Sequence, residues 1–267
     1  MHEFFGFAIV LVSVIIYIKE VHHLMKKFDR KYQDKNYKRW QMSESILVGV
    51  LLALSGGYMD AYTYVFRDKV FANAQTGNII LLGINISNMN YSESVRYLFP
   101  VVSFIAGVFL AQLLKIKMQN NRKPHWRQLA VLTEAVIMLA VAFMGTDMNL
   151  IANSMVSFAC GIQVQSFRKI HDNSLATTMC IGNLRTATDL LCSSMCRKDK
   201  HMFHRSMFYY GIILIFTLGA VVGEKFIAIL GQQSILVSAL ILFIVFLIMF
   251  LEEEKGMDRF KTLVRRR

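Results

Sequence analysis

Proline is nearly absent from this chain, with two in 267 residues, and charged residues are scarce at 18%. The first shortage excludes a proline-rich linker or recognition segment. The second, beside 55% hydrophobic residues, excludes a disordered chain and argues against an ordinary soluble domain, which has roughly 25% charged residues. Cysteine is sparse too, and four thiols in a chain this long make no disulfide scaffold. No Walker loop, nucleophile elbow, HExxH or dinucleotide fingerprint is present. Acidic residues are outnumbered, 18 against 30 basic, for a net charge of +12. In a soluble protein that excess would suggest nucleic acid. With a mean hydropathy of +0.42 it instead records where loops lie relative to a membrane, and no nucleic-acid partner is expected.

What the chain has is long apolar runs. A membrane helix needs about 20 mostly apolar residues. Spans are predicted at Ile46–Phe66, Tyr97–Leu114, Leu129–Thr146, Leu150–Phe167, Met207–Val222 and Ile235–Leu251. Phe4–Ile18 is apolar but short, lacks a positive leader, and reads as an N-terminal anchor over residues 1–18. Residues 19–45 read as a basic interfacial helix, with 19–40 suited to anionic lipid. Thr76–Ile86 is only about 16 Å long as a helix, half a hydrocarbon thickness. Thr177–Met195 is longer but contains Arg185 and Asp189.

The basic residues decide how these segments thread. Of the 30 Lys and Arg, 25 fall in 19–45, 115–127, 168–172, 197–205 and 252–267. Basic loops belong on the cytoplasmic side. All five clusters land there only if Thr76–Ile86 and Thr177–Met195 dip into the membrane and return. The expected location is the bacterial inner membrane, multi-pass, with the C-terminal tail 252–267 inside and the N-terminus outside.

The two halves, 46–146 and 147–251, resemble each other. Gly57 is followed by Thr76-Gly77-Asn78, and Gly161 by Ile181-Gly182-Asn183. A span with paired small residues follows each: Gly107 and Ala111, then Gly219 and Gly223. Such pairs let helix backbones approach closely, and also permit a homodimer. Each half reads as span, dipping segment, span, span. Three true spans is an odd number, so the second half is inverted. The expected fold is an all-α polytopic membrane protein of two inverted repeats.

The motifs Gly57-Tyr-Met-Asp60-Ala61 and Phe71-Ala-Asn73-Ala-Gln75-Thr76-Gly77-Asn78 resemble the first-half signature of the YoaK-type bacterial membrane proteins. Gly161, Gln163, Arg168, Thr177, Thr178 and Gly182 resemble its second-half pattern, with Val164 in place of the usual Asn and Ile181 in place of the usual Thr. The resemblance covers roughly 44–251. It implies a core of about six spans and no settled activity.

Charges within a membrane are costly and point to function by default. Asp60 is a candidate cation-binding or proton-accepting group. Arg185 and Asp189, four apart, are candidates for a ligand or for an internal ion pair. Glu134, near the inner end of its span, is read as interfacial. Asn73, Gln75, Asn78, Gln163, Gln165 and Asn183 are candidate polar lining, or interhelical glue. The half-helix starts at Thr76, Gly77 and Asn78 and at Gly182 and Asn183 offer amides to a polar or anionic solute. Thr76 and Thr177 are expected to cap them. Cys192, Cys196, His201 and His204 lack the usual zinc spacing, and no metal or cofactor is expected. Inverted repeats with interrupted segments favour a secondary transporter for a small polar or anionic solute, not an enzyme. A channel, and a non-transporting scaffold or sensor, are the other readings.

Overall fold

The computed structural model describes residues 45–118, 126–170 and 173–264. The expected anchor and the interfacial helix lie outside the described residues. The described chain is α-helical apart from one two-residue hairpin. Helix α1 covers Ile46–Phe66, α2 Gln75–Ser87, α3 Tyr91–Met118 and α4 Trp126–Val141. Then come α5 Asn149–Ser166, α6 Cys180–Arg197, α7 Lys200–Leu230 and α8 Leu236–Val264. Between α5 and α6, Lys169–Ile170 pairs antiparallel with Asn173–Ser174.

Helix α1 is central. Ser45 starts it, its side chain accepting from the Val48 N–H at 3.2 Å. Its apolar residues run all round the helix, as a buried helix requires. Leu52, Met59 and Tyr62 are wholly buried in the main core with Val156 of α5 and Leu242 of α8. Ser55 bonds Ser238 of α8 at 2.7 Å, and Tyr58 donates to the Ser234 carbonyl at 2.7 Å.

Two close crossings organise the bundle: α1 packs on α7, and α3 on α5. Both rest on glycine. A Cβ on Gly57 would strike the Phe216 carbonyl, and one on Gly219 the Leu54 carbonyl. At the other crossing, a Cβ on Gly107 would strike the Phe158 carbonyl, and one on Gly161 the Phe104 carbonyl. Ala111 and Gly223 are buried beside these contacts. The remaining pairings also match: α2 lies on α3 and α6 on α7, while α4 and α8 pack on each other.

Hydrogen bonds fix which helix ends share a face. Arg67, just after α1, donates to the Val141 carbonyl at the end of α4 and to Asn149 Oδ1 at the start of α5. Tyr62 donates to the Gln232 carbonyl, just after α7. At the opposite face, Gln128 of α4 donates to the Met249 carbonyl of α8, and Gln165 of α5 to Gln112 of α3 at 2.5 Å. Lys115, Lys117, Arg127, Arg168 and Lys169 therefore gather on one face, together with the α6–α7 junction at Arg197–Lys200. Residues 19–44, 119–125 and 265–267 of the expected basic clusters lie outside the described residues. Three helical stretches among the described residues are long and apolar enough to cross a membrane: Ile46–Phe66, Tyr91–Met118 and Lys200–Leu251. Helix α4 has 16 residues, about 24 Å, and ends five residues before the expected Thr146.

Candidate functional site

Both short segments turn back toward the middle of α1. After Phe66 the chain reverses through Asp68 and Lys69, both at φ 60°. Left-handed backbone costs roughly 1–2 kcal/mol per residue outside glycine, least for Asp. Local bonds hold it: Asn149 donates to Asp68 at 2.8 Å, Asn153 donates to the Arg67 carbonyl at 2.7 Å, and the Lys69 ammonium lies 5.0 Å from the Tyr64 ring centre. By Asn73 the chain has come back about two and a half turns of α1. The Asn73 amide side chain donates to the Gly56 carbonyl at 3.1 Å, and its backbone N–H donates to Asp60 Oδ1 at 2.7 Å.

The second segment reaches the same level from the opposite face. Gln163 donates to the Leu52 carbonyl at 3.1 Å and to Thr177 Oγ1 at 3.2 Å. Thr178 follows, its methyl against Gly56, where an added Cβ would meet it at 2.8 Å. Gly56 is thus touched from both sides. Its small size is what admits Thr178. The two segments share one internal clamp as well. Asn78 donates to the Phe71 carbonyl at 2.7 Å and Asn183 to the Ala176 carbonyl at 2.7 Å, each seven residues back.

This region is polar, and it lies inside the bundle. Asp60 is 9% exposed, Asn73 5%, Gln163 0% and Thr178 4%. Cys160 of α5 lies within electrostatic reach of both Asp60 and Glu134. Several acceptors here have no donor: Asn73 Oδ1, Gln163 Oε1, Thr178 Oγ1 and both Glu134 carboxylate oxygens. A buried polar group left unpaired costs about 1–3 kcal/mol, so four such residues in one region need a reason.

Three expectations are corrected. Thr76 is exposed and does not cap α2; Ala74 takes the N-cap position with no side-chain bond. Thr177 does not cap α6, whose N-cap position is Met179; its hydroxyl receives Gln163 instead. Just before α2, Asp60 takes the Asn73 backbone N–H. Gly77 is half-buried against Phe71, and Gly182 has open space beside it. Arg185 and Asp189 lie on the exposed face of α6, while Asn183 and Ala187 are buried. Glu134 is wholly buried and does not reach the interface.

Arg67, on the loop after α1, is a structural hub. Arg67 is 0% exposed. It donates to Tyr62 Oη at 2.9 and 3.0 Å, and to the carbonyls of Val141, Met144 and Gly145 at 3.2, 2.7 and 2.8 Å. It caps the carbonyl end of α4, where a cation is favoured. Its position after Tyr62 in sequence gave no sign of partners some 75 residues away.

The model of a family of proteins of unknown function, DUF1275, matches residues 48–248. The chain belongs to that family. It is 26% identical over 181 residues to the UPF0700 transmembrane protein YoaK of Bacillus subtilis strain 168, an alignment covering 64% of this chain and 79% of that one. No solved structure matches the chain. The matched stretch runs from early in α1 to the middle of α8, so every element of the polar centre lies inside the family core. With its apolar helices, this family member is a membrane protein.

Proposed function

We propose that the protein is a secondary carrier for a small polar solute, built from two inverted repeats, α1–α4 and α5–α8. The observation that carries this reading is the meeting of two re-entrant segments at Gly56, one bringing Asn73 and the other Thr178. Irregular backbone at membrane depth is tolerated only against protein or a polar cavity, and transporters place their binding sites there. The matched crossings support the repeat: Gly57 and Gly219 at one, Gly161 and Gly107 at the other. The basic face is read as cytoplasmic, in a bacterial inner membrane.

Asp60 is the coupling group in this reading. It sits at the start of α2, where the amide of Asn73 already satisfies one oxygen. The centre is therefore acidic, which weighs against an anionic solute at that end. The test is metabolite uptake by cells carrying Asp60→Asn at normal membrane level, against wild type and a deletion strain. Loss of the uptake that the wild type restores is expected; undiminished uptake overturns the role of Asp60. Threading is checked by cysteine labelling in a background lacking Cys192 and Cys196. Asp147→Cys should label from outside and Lys117→Cys only from inside.

A further inference from the structure

We propose that the polar centre binds a monovalent alkali cation, held by the Asp60 carboxylate, Asn73 Oδ1 and Thr178 Oγ1, with Gln163 Oε1 one helical turn further along α1. Four observations lead there. All four residues are at least nine-tenths buried. Three of their oxygens have no hydrogen-bond donor. The fourth residue, Asp60, accepts the Asn73 backbone N–H on Oδ1 at 2.7 Å and lies within hydrogen-bonding reach of the Ala72 and Ala74 backbone amides. The side-chain nitrogens of the two amides are engaged on backbone and hydroxyl oxygens: Asn73 Nδ2 on the Gly56 carbonyl, and Gln163 Nε2 on the Leu52 carbonyl and Thr177.

None of the four residues is cationic, and what they present is oxygen. Oxygen donors suit hard cations. Asp60 is the one carboxylate among the four proposed ligands, with the buried Glu134 carboxylate of α4 lying beyond Cys160, and that low charge count favours a monovalent ion over calcium or magnesium. The ligands come from α1, from both re-entrant segments and from α5. A bound ion would therefore tie the two halves together at the place where they meet. The site deepens the carrier reading as its coupling-ion site, but binding is measurable without transport.

The experiment is thermal unfolding of purified full-length protein in detergent, in choline, sodium and potassium chloride at equal ionic strength. Saturable stabilisation by sodium or potassium over choline is expected, by about 5 °C at saturating ion. Thr178→Val keeps the shape of the side chain and removes an unpaired buried hydroxyl. It should unfold no earlier than wild type in choline and lose the ion-dependent shift. Thr178→Ser, which restores the hydroxyl, should regain it, and Lys225→Gln should leave it intact. Asp60→Asn should abolish it. Equal unfolding of the wild type in all three salts overturns the site, as does a full shift retained by both Thr178→Val and Asp60→Asn. Uptake without any ion effect removes this inference and leaves the carrier; an ion effect without uptake does the reverse.

Discussion

Three residues after Gly57 the first half carries Asp60; three residues after Gly161 the second half carries Val164. The glycines do the same task, each set against a carbonyl of the crossing helix. The neighbours differ. Asn73 answers Asp60 through its backbone N–H, whereas Thr178, at the matching place before α6, presents a hydroxyl with no donor. The glycine contacts match, and Asp60 has no acidic counterpart at Val164. Burying a carboxylate costs several kcal/mol, and a further one at Val164, beside Asp60 and the buried Glu134, would add repulsion. Under the proposed cation site, matched glycine crossings with one carboxylate between them would give the two halves unequal affinity for the ion.

The largest expected stability effect tests how far the likeness extends beyond the crossings. Each half has a basic residue just after its first helix, Arg67 and Arg168. Arg67 is wholly buried and bonded to three carbonyls, while Arg168 is exposed. Arg67→Ala leaves those carbonyls and the Tyr62 hydroxyl without their donor. A loss on the order of 3–5 kcal/mol is expected in a denaturant titration in mixed micelles. Arg168→Ala should change stability by no more than about 0.5 kcal/mol. Similar losses from both would mean that the first half has no special anchor.

Next in size come the crossings. Gly57→Ala and Gly161→Ala each push a methyl into a backbone carbonyl, which cannot rotate away as a side chain can. Overpacking of this kind costs about 1–3 kcal/mol, and the two should agree with each other if the crossings are equivalent. Gly182→Ala, with nothing within 4 Å of its added Cβ, should be close to neutral. Unequal costs at Gly57 and Gly161, by the same titration, would weaken the matched-crossing argument.

Much of this architecture is legible in the residues. The first span, Ile46–Phe66, agrees with α1 at both ends, because Ser45 caps it and the apolar run is unbroken. The short segment Thr76–Ile86 differs from α2 by one residue at each end. Side-chain destinations are less legible. Glu134 was placed by its distance from a helix end, yet its neighbours Val131, Ala135 and Met138 form a buried stripe on the same face. That period was readable and outweighs the distance argument. Arg67 was not readable, since its burial depends on where α4 happens to end. The threonine caps failed because proximity to a helix start does not fix the backbone geometry that capping needs. Thr177 is drawn instead to Gln163, a partner that only the folded bundle supplies.

The smallest expected difference separates the two asparagine clamps. Asn78 donates to the Phe71 carbonyl and to Gln75, and accepts from the Phe71 N–H. Asn183 donates to the Ala176 carbonyl at the same seven-residue distance. Each net hydrogen bond is worth about 0.5–1.5 kcal/mol. Asn78→Ala should therefore cost about 2 kcal/mol and Asn183→Ala about 1 kcal/mol in the same titration. Because Asn78 fixes the backbone two residues before Asn73, its loss should also loosen the amide that Asp60 accepts, and with it the ion-dependent stabilisation. Asn183→Ala loosens Thr178, which holds no backbone donor to the ion site, and should weaken that stabilisation less. If Asn183→Ala proves the more damaging to ion binding, the second segment supplies more of the site than Thr178 alone, and the unequal division between the halves must be redrawn.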